Sequence, residues 1–257
     1  SLESKRRRGI ISCVTIDQMK NGEWKSERVG GSFRDPDGYL ISVDRRILRI
    51  VNASAVLGLK TFLDSECAKK WCASGQLVQS RILDGMELRT LLGGIEAGMV
   101  VEQERVPFPS FPYEWPPEML YAAASLTLDL AEELLGENMG LKDATPYNIL
   151  FRGPNEIFID ILSVEKRAPT DPTWLPYAQC VRSFLLPLLV DKYFGVSPDH
   201  SLLKRRDGLE PEEVYRMCGV FRKWLYPFII LVSIPKWFGS KDKGADGGIY
   251  RKRSVRC

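Results

Sequence analysis

The chain has 257 residues, of which 44% are hydrophobic, enough to build one large domain or two smaller ones. Its 36 Lys and Arg against 33 Asp and Glu give a net charge of +3, which offers no electrostatic case for a dedicated nucleic-acid binder. The six cysteines form no CxxC pair and there is a single His, so we expect free thiols in the reducing cytoplasm rather than structural zinc or a disulfide framework.

Residues 1–32 form a charged N-terminal extension, and residues 33–106 have the pattern of a small, β-rich lobe. Turn residues at 35–38 and two apolar runs, at 39–43 and 47–51, predict a β-hairpin. The rest of this lobe is predicted to contain two helices and two strands, at residues 55–63, 67–73, 76–83 and 99–105.

Residues 107–117 form a proline-rich connector that contains Tyr113 and Trp115 and marks the predicted boundary between two lobes. The second lobe, residues 118–240, is expected to be mostly helical. It begins with a long helix that opens at the last prolines of the connector and ends at Gly136.

Three further elements are predicted in the second lobe. Residues 149–159 have the pattern of a second hairpin with a tight turn. A long helix is predicted over residues 174–190 with a break at Pro187, and another helix begins at Pro211 and continues toward Trp224.

The last residues, 241–257, are Gly-rich and basic, which predicts a linker or a disordered end. No apolar run in the chain reaches the roughly 18 residues of a membrane-spanning helix, so no membrane span is expected.

Three polar residues stand in an order that suits phosphoryl transfer. Asp143 is followed five residues later by Asn148, and the predicted hairpin then ends at Asp160. In that chemistry one carboxylate orients the attacking hydroxyl, while an amide and a second carboxylate hold the magnesium ions on the nucleotide phosphates. The same residue types are also common in turns and at strand ends, so a structural role for all three is the alternative.

Residues 140–151 together with residues 157–160 resemble the catalytic loop and the magnesium-binding Asp of the kinase superfamily, especially of aminoglycoside phosphotransferases. The resemblance implies an α+β, protein-kinase-like two-lobed fold that uses ATP and Mg²⁺. It also implies that Asp143 is the catalytic residue and that Asn148 and Asp160 are metal ligands.

The chain departs from the kinase superfamily pattern at several positions. Leu141 stands where the superfamily has His, and Ile161 follows Asp160 where protein kinases have a Phe-Gly pair. In the small lobe there is no glycine-rich loop, since the turn at residues 35–38 has one Gly. The strand at residues 47–51 carries Arg49 in place of the usual Lys, with Glu66 as its nearest candidate partner.

Several further residues are candidates for ligand contact. Arg49 with Glu66 would bind the nucleotide, because Arg can hold a phosphate with two hydrogen bonds, although Arg49 could equally lie on an exposed edge strand. Lys142, Tyr113 and Trp115 are candidates for the substrate side of a cleft, and Lys142 could pair with Asp143 or with an acceptor phosphate. An exposed loop Lys is the commoner case.

A second resemblance covers most of the chain and rests on short motifs spread along it, at residues 33–38, 112–115, 141–144, 147–148, 159–160, 162–165 and 184–188. These motifs resemble the amino-terminal half of a bacterial family of nodulation-protein-related, S-adenosylmethionine-dependent methyltransferases. The resemblance implies that a C-terminal methyltransferase domain, which binds S-adenosylmethionine through a glycine-rich loop, is a partner outside this chain. No strand followed by a GxGxxG element occurs in the sequence.

Two hypotheses follow. In the first, a kinase-like domain serves a methyltransferase polypeptide, either by phosphorylating a small-molecule or carbohydrate-like substrate or by binding a nucleotide without turnover. In the second, the chain is a non-catalytic, pseudokinase-type recognition or scaffold module, in which residues 112–115 and the loop acids bind the acceptor of methylation.

Overall fold

The computed structural model describes residues 27–28, 37–43, 45–87, 97–168, 171 and 173–238. Apart from residues 27–28, the predicted N-terminal extension lies outside those residues, and so does the predicted tail at residues 241–257. The described residues mix helices with antiparallel strands, which confirms the α+β class. The two-lobed, kinase-like arrangement stays a prediction.

The described residues fall into two units that alternate along the chain. The first contains the described residues up to Ser110, together with Leu126–Lys142 and Asn148–Trp174. The second contains Phe111–Ser125, Asp143–Tyr147 and the described residues from Leu175 onward. The predicted boundary at residues 107–117 lies close to the first of these changes.

The first unit is built on a five-stranded antiparallel sheet. Its strands are β1 Glu27–Arg28, β2 Gly38–Val43, β3 Arg46–Val51, β4 Ser80–Ile82 and β5 Met99–Gln103. The strand order in the sheet is β1-β2-β3-β5-β4. The predicted hairpin is confirmed as β2 and β3, which pair from Gly38 opposite Val51 to Val43 opposite Arg46.

One face of the sheet forms an apolar cluster. Leu48 and Ile50 of β3 belong to this cluster, with Ile41 of β2 and Val100 of β5. Successive side chains of a strand point to opposite faces, so Arg49, between Leu48 and Ile50, lies on the other face. Arg49 is nevertheless only 4% exposed, which makes it a buried charge that needs a partner.

Two helices connect β3 to β4, namely α1 Val56–Leu63 and α2 Glu66–Ser74. Ser65 caps α2 by accepting a hydrogen bond from the Ala68 amide, and Gly75 ends it in the left-handed conformation. The segment after α2 then pairs with the second hairpin, because the Val78 amide donates to the Phe158 carbonyl at 2.9 Å.

The long predicted helix is α3, Pro117–Gly136. Its buried side chains repeat at helical spacing, as Leu120, Leu130 and Leu134 show, whereas Leu128 and Leu135 are exposed. The chain next forms two short antiparallel pairs in the first unit, β6 Met139–Leu141 with β9 Val164–Lys166 and β7 Ile149–Arg152 with β8 Asn155–Phe158.

In the second unit, the predicted helix at residues 174–190 differs from expectation. It begins later, as α4 Tyr177–Cys180, and runs through a π-helical turn at Val181–Leu185 into α5 Leu186–Phe194. The predicted break at Pro187 is wrong. A wider π turn directly before Pro187 accommodates its ring and its missing N–H, so the helix continues.

The remaining helices of this unit are α6 Pro198–Lys204 and α7 Pro211–Met217. Helix α7 starts at Pro211 as predicted but ends before Cys218, which is extended, and a separate 3-10 turn covers Arg222–Trp224. Buried Leu186, Val190, Val214, Phe228 and Val232 belong to the apolar cluster of this unit. Within the described residues, no helix combines the length and hydropathy needed to cross a bilayer.

Candidate functional site

The candidate site in the first unit centres on an ion pair between Arg49 of β3 and Asp160, which follows β8. Arg49 Nη1 lies 3.0 Å from Asp160 Oδ1, with the two side chains 5% and 22% exposed. The buried guanidinium therefore has a carboxylate as its counter-charge. A pair this buried is held in one geometry, unlike an exposed surface pair.

Gln103, at the end of β5, contacts Arg49 and the residue that precedes Asp160. Arg49 Nε donates to Gln103 Oε1 at 3.1 Å, and Gln103 Nε2 donates to the carbonyl of Ile159 at 3.1 Å. Gln103 is itself 5% exposed. Sequence reasoning missed this residue, although a Gln closing the apolar strand Met99–Gln103 is a signal for a buried polar contact.

Asn148 directly precedes β7, at the open end of the β7–β8 hairpin. It lies beside the segment that carries Asp160. The Ile159 amide donates to the Asn148 carbonyl at 2.9 Å, which continues the β7–β8 pairing by one position. Asn148 is 7% exposed. The hairpin thus brings the two predicted metal ligands, Asn148 and Asp160, to neighbouring positions.

The Asp160 carboxylate contacts Arg49 and the backbone of its own segment. Oδ1 receives the Arg49 guanidinium and, at 3.3 Å, the Leu162 amide. Hard cations such as Mg²⁺ prefer carboxylate and amide oxygens, which are the groups that Asp160 and Asn148 carry.

In the described part of the chain no group of three or more His, Cys, Asp and Glu side chains could hold a metal ion. A cation at Asp160 would therefore depend on ligands other than clustered side-chain acids. That is the usual situation for Mg²⁺ at phosphate sites, where substrate oxygens and water supply most of the coordination.

Lys142 is tied to the same region. Its ammonium forms an ion pair with Asp37, at the start of β2, and its amide donates to the Ser163 carbonyl at 2.7 Å. Ser163 in turn donates through its amide and its hydroxyl to the carbonyl of Asp160, at 3.1 and 2.9 Å. The structure thus gives Lys142 the partner Asp37.

Glu66 does not join this group of residues. It lies in the first turn of α2, its side chain is 85% exposed, and it pairs with Lys69 at 2.7 Å. The carboxylate that the structure gives to Arg49 is Asp160 instead.

The other predicted site residues belong to the second unit. Asp143 is half-buried and begins the short segment Asp143–Tyr147. The next residue anchors that segment, because the Ala144 amide donates to Gln179 Oε1 at 2.9 Å. The hydroxyl of Ser183, in the π turn, donates to the Ala144 carbonyl at 3.3 Å, so the helix that carries this turn holds the segment in place.

The two aromatic residues of the connector have different surroundings. Trp115 is 1% exposed, which suits packing in the interior of its unit. Tyr113 is half-buried and stacks on Phe111 with 5.8 Å between ring centroids. Tyr113 is therefore the more accessible of the two. Its partial burial, assisted by Glu114, raises the pKa of its hydroxyl, which favours the neutral form.

Comparison with known proteins gives one informative match. Over 218 residues, or 83% of its length, the chain is 30% identical to nodulation protein NoeA of Rhizobium meliloti (strain 1021). The chain is thus similar to part of NoeA. The chain spans 41% of the length of that protein, so the match does not assign the activity of whole NoeA to this region. No protein-family model matches the chain.

Proposed function

We propose that this chain is a kinase-like domain that binds a nucleotide together with a divalent cation, as one part of a NoeA-related protein. The observation that carries the proposal is the contact of Arg49 with Asp160. In kinases a cation on the third strand of the sheet binds the nucleotide phosphates, and an Asp after the catalytic loop binds Mg²⁺. Here Arg49 is on the third strand, and Asp160 follows the hairpin that begins at Asn148.

The electrostatics of the pair support this proposal. A buried guanidinium without a counter-charge is costly, and Asp160 supplies that counter-charge. Arg49 can instead bind phosphate oxygens with two parallel hydrogen bonds, which frees Asp160 for a cation. A magnesium ion held by Asp160 and Asn148 would neutralise phosphate charge and orient the transferring group.

The role of Asp143 rests on its sequence position, five residues before Asn148. A carboxylate in that place accepts or orients the proton of an acceptor hydroxyl. The acceptor that we propose is a small-molecule or carbohydrate-like alcohol. S-adenosylmethionine would bind only to a methyltransferase domain elsewhere in the longer protein.

A non-catalytic recognition or scaffold module is the second candidate, and Gly38 favours it. A Cβ atom on Gly38 would lie 2.3 Å from the Ile50 carbonyl oxygen and 3.0 Å from Leu162 Cδ1. The close approach of two backbones explains why this residue is Gly, so no phosphate-binding role is needed for it. A pseudokinase of this kind would keep the ion pair as a structural contact.

Thermal unfolding in the presence of ATP or GTP, with and without Mg²⁺ or Mn²⁺, separates the two candidates. A ligand that binds the folded state raises the melting temperature by an amount that grows with its concentration. A shift that requires the metal, and that Asp160→Asn removes, supports the proposal. The matched control is Glu104→Gln, which breaks an exposed pair with Arg152 and should leave the shift unchanged.

Absence of any metal-dependent shift at millimolar nucleotide would favour the recognition or scaffold module. A shift that survives in Asp160→Asn would show that the nucleotide binds somewhere else.

A further inference from the structure

Large aromatic side chains are exposed near the end of the described part of the second unit. Phe221 is 86% exposed, Trp224 is 62% exposed and Tyr226 is 79% exposed. Burying such a side chain is favourable, so several exposed ones close together in the chain indicate a contact surface.

These residues are held by a defined packing arrangement. The rings of Trp224 and Trp237 lie 5.4 Å apart, and the Ser233 hydroxyl donates to the Lys223 carbonyl at 2.8 Å. The 3-10 turn Arg222–Trp224 therefore packs against the segment that follows the π-helical turn Ile229–Ser233. The exposed aromatic groups stand on an ordered support.

Two lysines accompany them. The ammonium of Lys223 lies 4.0 Å from the centroid of the Tyr215 ring, and that of Lys236 lies 4.4 Å from the same centroid. One ring thus brings two like charges together. Lys223 contacts no carboxylate among the described residues, and the sequence from Val214 to Phe238 contains four basic residues and no acidic one.

We name Phe221, Lys223, Trp224, Tyr226, Lys236 and Trp237 the aromatic–basic surface. Trp and Tyr favour the headgroup level of a bilayer, because their rings are apolar and their polar atoms can stay hydrated. Lys side chains beside them attract anionic headgroups, while their hydrocarbon stems cover apolar area. A protein interface usually carries charges of both signs, whereas this surface complements a uniformly anionic one.

We propose that the aromatic–basic surface binds the headgroup region of an anionic lipid bilayer, so that the protein associates peripherally with membranes. The aromatic rings enter the interface, and Lys223 and Lys236 contact lipid phosphate or carboxylate groups. This role is independent of the proposed nucleotide site, which lies in the first unit.

Flotation of the full chain with lipid vesicles tests the proposal. The expected result is binding to phosphatidylcholine vesicles that contain about 30% phosphatidylserine, weak binding to pure phosphatidylcholine, and loss of binding as salt is raised from about 0.1 to 0.5 M. Lys223→Gln with Lys236→Gln should weaken binding roughly 25-fold, at about fivefold for each lysine. Phe221→Ser with Trp224→Ser should weaken it at least about tenfold.

Matched controls come from the same unit. Lys204→Gln removes an exposed lysine of α6, and Tyr121→Ser removes an aromatic residue of α3 that is 66% exposed. Both should bind vesicles like the wild type. Lys223→Arg with Lys236→Arg keeps the charge and the contacts with Tyr215. This variant should retain binding even if the Gln pair proves unstable.

The proposal is overturned if the wild type binds neutral and anionic vesicles equally or binds neither, or if the Gln pair binds as well as the controls. It is also overturned if the wild type does not bind vesicles but self-associates in sedimentation experiments, and Trp224→Ser abolishes that self-association. The surface would then join copies of the chain.

Discussion

Arg49 reaches Asp160 across a long separation in sequence, with 3.0 Å between Nη1 and Oδ1. The contact joins the third strand of the sheet to the residue that follows the β7–β8 hairpin. Gln103 fixes both sides of it by binding Arg49 and the carbonyl of Ile159. These contacts hold the polar centre of the first unit in one arrangement.

A double-mutant cycle with Arg49→Met and Asp160→Asn should reveal strong coupling between these residues. Each single change leaves a partly buried group without its partner and should lower the free energy of unfolding by about 2–4 kcal/mol. The double variant should recover about 1–3 kcal/mol of the summed loss. Urea unfolding measures all four proteins. The exposed pair of Arg152 and Glu104 is the control, with coupling of about 0–1 kcal/mol.

Asp143→Asn tests catalysis apart from binding. The substitution preserves size and hydrogen bonding but removes the charge, so transfer from radiolabelled ATP should fall by about 100-fold or more. The nucleotide-dependent thermal shift should change little, because this carboxylate serves the acceptor rather than the nucleotide. Equal transfer rates for both proteins would exclude Asp143 as the catalytic base.

Glu102 should give the first unit a distinct acid sensitivity. Hydrogen bonds from Arg46, at 2.6 and 2.8 Å, and then from Arg81, at 2.8 Å, lower the pKa of Glu102 to about 2. Since the unfolded pKa is about 4.3, the stabilisation is complete above that pH and is lost as the pH falls toward 2.

Glu102→Gln should therefore lower the free energy of unfolding by about 1 kcal/mol at neutral pH, and its difference from the wild type should vanish near pH 2. Urea unfolding at several pH values measures this. Glu165→Gln, which removes an exposed carboxylate, is the control. A difference that stays constant down to acid pH would contradict the ion-pair explanation.

Gly38→Ala and Gly58→Ala should have opposite effects on stability. At Gly38 the added Cβ meets the Ile50 carbonyl oxygen at 2.3 Å, so the β2–β3 pair must shift at a cost of about 2 kcal/mol or more. At Gly58, in α1, nothing lies within 4 Å of the new atom, and the higher helix propensity of Ala should add about 0.5–1 kcal/mol. Thermal unfolding of the wild type and of each variant measures these opposite changes in stability.

Local patterns predicted local structure well. The hairpin β2–β3 follows from two apolar runs around a turn, and α3 follows from prolines, helical spacing and a terminal Gly. The break expected at Pro187 did not occur, because a π-helical turn precedes this residue and the helix continues. The spacing of residues in the sequence does not predict such a turn.

The composition of the site was predictable only in part. The sequence placed Asn148 and Asp160 on one hairpin, since a tight turn leaves its two outer ends side by side. It did not predict that Arg49 would take Asp160 rather than Glu66, because that choice depends on where the hairpin docks relative to the sheet. Gln103 was missed for the same reason.

The alternation of the two units along the chain limits how the protein can be divided. The chain enters the second unit at Phe111, and α3 begins within that unit and leaves it after Ser125. The five residues from Asp143 to Tyr147 then return to the second unit before β7 begins. No single cut releases either unit whole, and a fragment that ends near Ser110 lacks Asp160, the counter-charge of Arg49. Truncated forms should therefore be designed around the whole of residues 37–238, and a protease nick in any one loop should leave two pieces that remain associated.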